Sequence, residues 1–143
     1  MIKAVRHTGL VIRDLEKAVE FYCALGFIED NRATEEGEFI DAVVGLKNTK
    51  LEWVKLKAPD GYLLELLQYH SHPERKEIKK QKSNQLGCSH IAFSVEDIDT
   101  VCNKIEKIGG GIVNPPALTN DKKVKVAYCH DNEGNLMEIV EIL

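Results

Sequence analysis

One pattern occurs twice along the 143-residue chain, and it limits the possible fold more than any other feature. The first copy begins H-T-G-L-V-I-R-D at His7, and the second begins H-I-A-F-S-V-E-D at His90. Both copies reach an Asp seven residues later, at Asp14 and Asp97, and a Gly nineteen residues later. Such a repeat indicates an internal duplication, so we expect two modules with the same local fold.

Each copy begins with a predicted strand followed by a predicted helix. Side chains alternate along a strand, so His7, Gly9 and Val11 share one face of the first strand, near Val5–Ile12. An Asp N-cap, an apolar stripe at helical spacing and a terminal Gly then predict a helix. The stripes are Leu15, Ala18, Val19, Tyr22 and Leu25 in the first module and Ile98, Val101, Cys102, Ile105 and Ile108 in the second.

Shorter extended segments follow each helix, which makes the order βαβββ in both modules. The predicted strands are Phe27–Ala33, Lys50–Lys57 and Tyr62–Gln68, then Gly111–Val113, Lys123–Cys129 and Leu136–Ile142. The stretch Gly37–Leu46 is predicted to be either a short helix or a loop. We therefore expect one α+β domain over residues 1–143, made of module one (1–69), a linker (70–87) and module two (88–143). The two modules should form a curved mixed sheet, with helices on its convex side and a metal-binding cleft.

Two His and two Glu occupy matching places in the repeat. His7 and Glu65 belong to the first module, and His90 and Glu138 belong to the second. Two imidazoles and two carboxylates suit a divalent metal with room left for a substrate. Each Glu stands among apolar strand residues, where an unpaired carboxylate costs several kcal/mol, and a bound cation would offset that cost. We predict that approximate two-fold symmetry brings the four side chains around one ion.

The remaining sequence features favour ordinary structural roles. The polar linker predicts a short exposed helix after Pro73. Its basic residues form either a solvated surface, which we favour, or an anion-binding patch. These residues are Arg75, Lys76, Lys79, Lys80 and Lys82. The cysteines, which form no CxxC pair, are expected to be reduced thiols that pack as small apolar groups; they are Cys23, Cys88, Cys102 and Cys129.

Charge and hydropathy exclude several classes of function. The formal net charge of −4 gives no general reason to bind nucleic acid or an anionic membrane. The sequence contains no apolar run of eighteen residues and no signal-peptide pattern, so we expect a cytoplasmic protein.

The H-x-x-x-x-[IV]-x-D opening, the helix that ends in Gly and the D-G-x-x-x-E closing together resemble the vicinal oxygen chelate superfamily. This group includes glyoxalase I, methylmalonyl-CoA epimerase, fosfomycin-resistance proteins, bleomycin-binding proteins and extradiol dioxygenases. The resemblance covers both modules and leaves out only the linker. It implies a paired βαβββ fold and a metal held by His7, Glu65, His90 and Glu138.

The four-ligand set is most similar to that of glyoxalase I, and the epimerase is similar as well. The resemblance implies a lyase or isomerase that abstracts a C–H proton next to a carbonyl through a metal-stabilised enediolate. Glu138 and Glu65 are both candidates for the proton shuttle. It also implies one divalent ion per site (nickel, cobalt, zinc or manganese), a small substrate with adjacent oxygens, and a homodimer. A hemithioacetal or an acyl thioester would be such a substrate.

Two positions depart from the glutathione-using members of the family. Those members typically carry an Arg and an Asn where this chain has Val11 and Tyr69. Glutathione is therefore in doubt as a cosubstrate, and an epimerase of the methylmalonyl-CoA type is the main alternative. A fosfomycin-type resistance enzyme and a non-catalytic drug-binding protein are further alternatives. An extradiol dioxygenase is disfavoured because a fourth protein ligand, Glu65, would fill a position that its iron needs open.

Overall fold

A computed structural model describes residues 1–74, 80–87 and 90–143 of the chain. The chain divides into two compact units, which we call unit 1 (Met1–Lys76) and unit 2 (Glu77–Leu143). Each unit contains its own mixed β-sheet, sheet 1 in unit 1 and sheet 2 in unit 2. The prediction of a duplicated α+β fold is confirmed. The described strands, however, form two hydrogen-bonded sheets, where we expected one curved sheet.

Sheet 1 has the strand order β1-β4-β3-β2, with β1 parallel to β4 and the other pairs antiparallel. The elements of unit 1 are β1 (Thr8–Val11), α1 (Leu15–Ala24), β2 (Ile28–Glu36), α2 (Glu38–Val44), β3 (Lys50–Lys57) and β4 (Leu63–Tyr69). The stretch that was predicted as helix or loop thus contains the helix α2. It explains why Glu65 lies ten residues farther from its His than Glu138 does.

Sheet 2 repeats this arrangement with the order β5-β9-β8-β6, and β5 is parallel to β9. The elements of unit 2 are β5 (Ile91–Ser94), α3 (Ile98–Lys107), β6 (Gly111–Ile112), β7 (Ala117–Leu118), β8 (Val124–His130) and β9 (Leu136–Ile142). The short strand β7, which pairs with β8, was not predicted. With only two residues, it has too little alternation to be recognised from sequence.

Both main helices begin and end as the sequence predicts. The side chains of Asp14 and Asp97 accept hydrogen bonds from the backbone N–H groups of the residues three positions later, Lys17 and Thr100. Beyond the last helical turn, Gly26 has a φ of 108°, in the left-handed region that glycine tolerates best.

The last strand of each sheet also contributes to the helix start. The side-chain oxygen of Gln68 in β4 accepts from the N–H of Leu15, at 2.8 Å. The carboxylate of Glu141 in β9 accepts from the N–H of Ile98, at 3.0 Å. Both acceptors lie three residues after the candidate metal-binding Glu. The strand that carries that Glu therefore also fixes the start of the helix on the opposite face of the sheet.

The core of each unit lies between the helix and one face of its sheet. In unit 1, α1 buries Leu15, Ala18, Val19, Phe21 and Tyr22. Four strand residues are almost fully buried in the same unit: Val54, Leu56, Leu64 and Leu66. In unit 2, α3 buries Ile98, Cys102 and Ile105, and the strands bury Ala127, Cys129, Met137 and Ile139. We call the opposite face of each sheet, where His and Glu lie, the open face.

Part of the predicted linker is bound to unit 2. The backbone N–H of Gln81 donates to the carbonyl of Gly134, and its carbonyl lies 2.8 Å from Nε2 of His130. Its side-chain oxygen accepts from the N–H of Leu136. The predicted helix after Pro73, and the predictions for Arg75, Lys76, Lys79 and Cys88, concern residues that lie wholly or mostly outside the described part of the chain.

Among the described residues, no helix combines the length and the apolar character that a membrane crossing requires.

Candidate functional site

The first His–Glu pair forms on the open face of sheet 1. His7 lies one residue before β1, and Glu65 lies in β4, the parallel neighbour of β1, directly opposite Gly9. His7 and Gly9 share a face because side chains alternate along a strand. The parallel register thus brings the imidazole to the carboxylate, with Nε2 of His7 3.1 Å from Oε2 of Glu65.

The second pair repeats this geometry in sheet 2. His90 lies one residue before β5, and Glu138 lies in β9 opposite Ala92. Nε2 of His90 is 3.0 Å from Oε2 of Glu138. The structure therefore brings together the members of each predicted pair within its own unit.

A small residue stands beside each pair. A Cβ atom at Gly9 would lie 3.2 Å from Cδ1 of Leu67 and 3.9 Å from Oε2 of Glu65, so the glycine keeps the space next to the carboxylate open. Ala92, the equivalent residue in unit 2, is the next smallest choice. Neither position therefore adds a bulky side chain beside its His–Glu pair.

Both carboxylates are largely but not fully buried. The side chains of Glu65 and Glu138 are 14% and 24% exposed. Loss of hydration is costly for a carboxylate, and a nearby imidazole reduces that cost when it is protonated or donates a hydrogen bond. Both imidazoles are about one-third exposed, so a bound ligand can also reach them.

The third strand of each sheet supplies a neighbour that the sequence did not reveal. Lys55 in β3 lies opposite Glu65, and its Nζ is 3.5 Å from Oε1 of that residue. At the matching place in sheet 2, Tyr128 lies opposite Glu138 and packs edge-on against the ring of His90, with centroids 5.1 Å apart. The hairpin turn between the two antiparallel strands sets their register. The turn residues were therefore the sequence signal that could have placed Lys55 and Tyr128 opposite the two Glu residues.

The donor atoms of the two pairs fit a divalent metal by their chemistry. Together they offer two imidazole nitrogens and carboxylate oxygens, which suit zinc, nickel, cobalt or manganese. Across residues 1–74, 80–87 and 90–143, no group of three or more His, Cys, Asp or Glu side chains lies close enough to hold an ion together. That His7, Glu65, His90 and Glu138 share one ion therefore stays a prediction.

The other histidines have partners that account for them structurally. Nε2 of His70 lies 2.9 Å from Oε2 of Glu52. His72 lies 2.7 Å from the hydroxyl of Ser71, and His130 contacts Gln81 as described above. None of the three needs a metal to explain its position.

The described cysteines are free thiols, as predicted. Burial raises the pKa of Cys129 to about 12, and burial also raises the pKa values of Cys102 and Cys23. Because the thiolate is the reactive form, these thiols are poor nucleophiles at neutral pH. We therefore assign no chemistry to them.

Comparison with known proteins finds matches along almost the whole chain. The family model described as "Glyoxalase/Bleomycin resistance protein/Dioxygenase superfamily" matches residues 4–139. A probable lactoylglutathione lyase of Synechocystis sp. is 28% identical over 141 residues, which covers 94% of this chain and 92% of the relative.

Solved structures show the same architecture. The structure of a glyoxalase family protein from Bacillus cereus has a TM-score of 0.91 and 26% identity, and the match covers 100% of this chain and 96% of that one. A fosfomycin resistance protein from Listeria monocytogenes, crystallised with Mn(II) and sulfate, has a TM-score of 0.61 and 17% identity. That match covers 100% of this chain and 95% of the other, and it supports the fold alone.

Proposed function

The chain belongs to the glyoxalase/bleomycin resistance protein/dioxygenase superfamily, and on this premise we propose that it is a divalent-metal-dependent lyase or isomerase of glyoxalase I type. The reaction would move a proton from a carbon next to a carbonyl group. The substrate would be a small molecule with two adjacent oxygens, such as a hemithioacetal. The relatives named as lactoylglutathione lyases support this class of reaction.

The observation that carries the proposal is the repeated His–Glu pair. Each pair lies on the open face of its sheet, with nitrogen and oxygen about 3 Å apart and a Gly or an Ala beside it. We propose that His7, Glu65, His90 and Glu138 together hold one nickel, cobalt, zinc or manganese ion. The two pairs would come from one chain or from two copies in a homodimer, and both arrangements require one ion per chain.

A bound divalent cation supplies Lewis acidity, which lowers the cost of placing negative charge on the substrate's carbonyl oxygen as the C–H bond breaks. The chain's own residues handle the proton. We propose that the carboxylate of Glu138 accepts it from the carbon and returns it to the same or the adjacent carbon. Oε2 of Glu138 is the oxygen that lies 3.0 Å from Nε2 of His90, so Oε1 is the oxygen we propose for the proton.

Glu65 is the less suitable base because both of its oxygens already have basic neighbours. His7 lies near Oε2, and Lys55 lies near Oε1. Among the described residues, only one such contact, to His90, is found for Glu138. We therefore propose that Glu65 serves as a metal ligand only, and that Glu138 is the base that moves the proton.

Exchange of substrate protons in D₂O tests this function. Full-length protein loaded with Ni²⁺, Co²⁺, Zn²⁺ or Mn²⁺ would be incubated with thiohemiacetals, α-hydroxyketones and acyl thioesters, and deuterium uptake followed by NMR. We expect metal-dependent exchange with thiohemiacetals. Exchange confined to acyl thioesters would replace the lyase proposal with an epimerase. Absence of exchange in the whole panel, from protein shown to contain metal, would contradict proton abstraction.

A further inference from the structure

The open faces of the two sheets differ at one matched position. Lys55 lies opposite Glu65 in the β3–β4 pair, and Tyr128 lies opposite Glu138 in the equivalent β8–β9 pair. Unit 1 therefore places an ammonium beside its carboxylate, where unit 2 places a neutral phenol ring. The duplication conserves the His–Glu pair but not the charge next to it.

The ammonium of Lys55 is held in place and remains reachable. Its Nζ lies 4.5 Å from the centre of the Trp53 ring, close enough for a cation–π interaction. Its contact to Oε1 of Glu65, at 3.5 Å, is longer than a strong charge-assisted hydrogen bond, typically about 2.7–2.9 Å. The Lys55 side chain is 26% exposed. An ammonium has three N–H donors, so it can also bind an anion above the open face.

If a metal binds Glu65, the ammonium of Lys55 needs another anion as its counter-charge. A divalent cation would take most of the carboxylate's negative charge, and a partly desolvated ammonium would then lack a full counter-charge. A negative group on the substrate would provide it. Tyr128 offers no positive charge at the equivalent place in unit 2. An anionic group near the unit 1 pair would therefore find a positive partner that the matched position of unit 2 does not offer.

Resting on the function proposed above, we propose that Lys55 is a specificity-determining residue that binds an anionic substituent of the substrate. The substituent would be a carboxylate or a phosphate, attached next to the two adjacent oxygens. Trp53 positions the ammonium, and its ring also offers an apolar surface to the carbon skeleton of the substrate.

Lys57 provides a matched control. It lies two residues farther along β3, so its side chain leaves the same face of the strand. Its Nζ is 3.5 Å from Oδ1 of Asp30, and its side chain is more exposed than that of Lys55. Removing Lys57 takes away one charge from the same strand without touching Glu65.

The test compares two probes that share a hydroxy-carboxylate group. Glycolate has two adjacent oxygen donors, and tartronate is glycolate with one additional carboxylate. Their affinities for metal-loaded full-length protein would be measured by calorimetry for wild type, Lys55→Met, Lys55→Arg and Lys57→Met. Because tartronate chelates metals more strongly by itself, the informative quantity is the tartronate-to-glycolate affinity ratio and its change between proteins.

We expect Lys55→Met to lower this ratio about tenfold, the order expected for losing one charge-assisted hydrogen bond. Lys55→Arg should largely restore the ratio, and Lys57→Met should leave it unchanged. An equal ratio in wild type and Lys55→Met would overturn the proposal, since Lys55 would then serve Glu65 only. Failure of the wild type to take up metal, or of both probes to bind the loaded protein, would refute the proposed function and this inference with it.

Discussion

Unit 1 and unit 2 have the same strand order but different chemistry around their His–Glu pairs. Each has a parallel β1–β4 or β5–β9 pair, a His just before the first strand, and a Glu opposite a Gly or an Ala. They differ where Lys55 corresponds to Tyr128 and where Gln68 corresponds to Glu141. Both units thus share a His–Glu pair and a side-chain acceptor at the helix start, and they differ in the charge of the residues at these two matched places.

The largest effect should come from removing the carboxylates in turn. We expect Glu138→Gln to slow deuterium exchange at least about 100-fold, because an amide cannot accept the proton. Glu65→Gln, assayed at saturating metal, should slow deuterium exchange less, because this residue is proposed to be a metal ligand and not the base. Circular dichroism would verify that both variants fold. Exchange at the wild-type rate in Glu138→Gln would exclude that residue as the base.

Loss of core volume should affect the two units equally. Leu66 and Ile139 each follow the candidate Glu, and both are almost completely buried against the helix side of their sheets. Replacing either by Ala should lower the free energy of unfolding by about 2–5 kcal/mol, through lost burial and the cavity left behind. Urea denaturation would measure both. If either substitution lowered the free energy of unfolding by less than about 1 kcal/mol, the core of that unit would not be packed as described.

The helix starts should distinguish the units by charge. Glu141→Ala removes a charged acceptor from the N–H of Ile98, and we expect a loss of about 1.5–3 kcal/mol. Gln68→Ala removes a neutral acceptor from Leu15, with an expected loss of about 0.5–1.5 kcal/mol. Chemical denaturation at low and high salt would compare them. Salt should reduce only the Glu141 effect, and equal losses at all salt concentrations would contradict the assignment.

The smallest expected effects concern how the stability of the protein depends on pH through its two N-cap residues. Hydrogen bonding from Lys17 lowers the pKa of Asp14, and hydrogen bonding from Thr100 lowers the pKa of Asp97. A lowered pKa in the folded state gives stability above the unfolded-state pKa, near 3.9, which is lost as the pH falls through the folded value. Asp14→Asn and Asp97→Asn should therefore flatten the acid limb of the stability profile while retaining a cap at pH 7.

Salt provides the comparison between the caps. Asp14 also pairs with the ammonium of Lys17, with Nζ 2.8 Å from Oδ2, whereas Asp97 binds the Thr100 hydroxyl. Added salt should weaken the acid-limb contribution of Asp14 more than that of Asp97. Thermal unfolding of the two variants and the wild type between pH 2 and pH 7 would measure both contributions. Identical salt responses would contradict the ion pair between Asp14 and Lys17.

Local patterns were sufficient to predict most of the fold. The Asp caps, the helix-ending Gly and the strands Lys50–Lys57 and Leu136–Ile142 are found as predicted. The His–Glu contacts in each unit also follow from alternation and a duplicated motif. These features depend on neighbours in sequence or on a repeated register, which a single sequence records.

The rest depends on contacts between distant strands. The positions of Lys55 and Tyr128 against the two pairs follow from antiparallel register, and a shift of one residue would turn each to the other face. The contacts of Gln81 likewise depend on the backbone carbonyl of Gly134 and the buried imidazole of His130, which the polar composition of the linker does not reveal. The sequence alone therefore did not show that Lys55 and Tyr128 lie beside the two His–Glu pairs.

Metal stoichiometry tests the central proposal, that the two pairs act on one cation, most directly. Full-length wild type, His7→Ala and His90→Ala would be titrated with Zn²⁺ or Ni²⁺ under identical conditions. We predict about one tightly bound ion per wild-type chain, and loss of tight binding in both variants, because each removes one of four ligands. Two ions per chain with one retained in each variant, or no tight binding to wild type, would contradict a shared site.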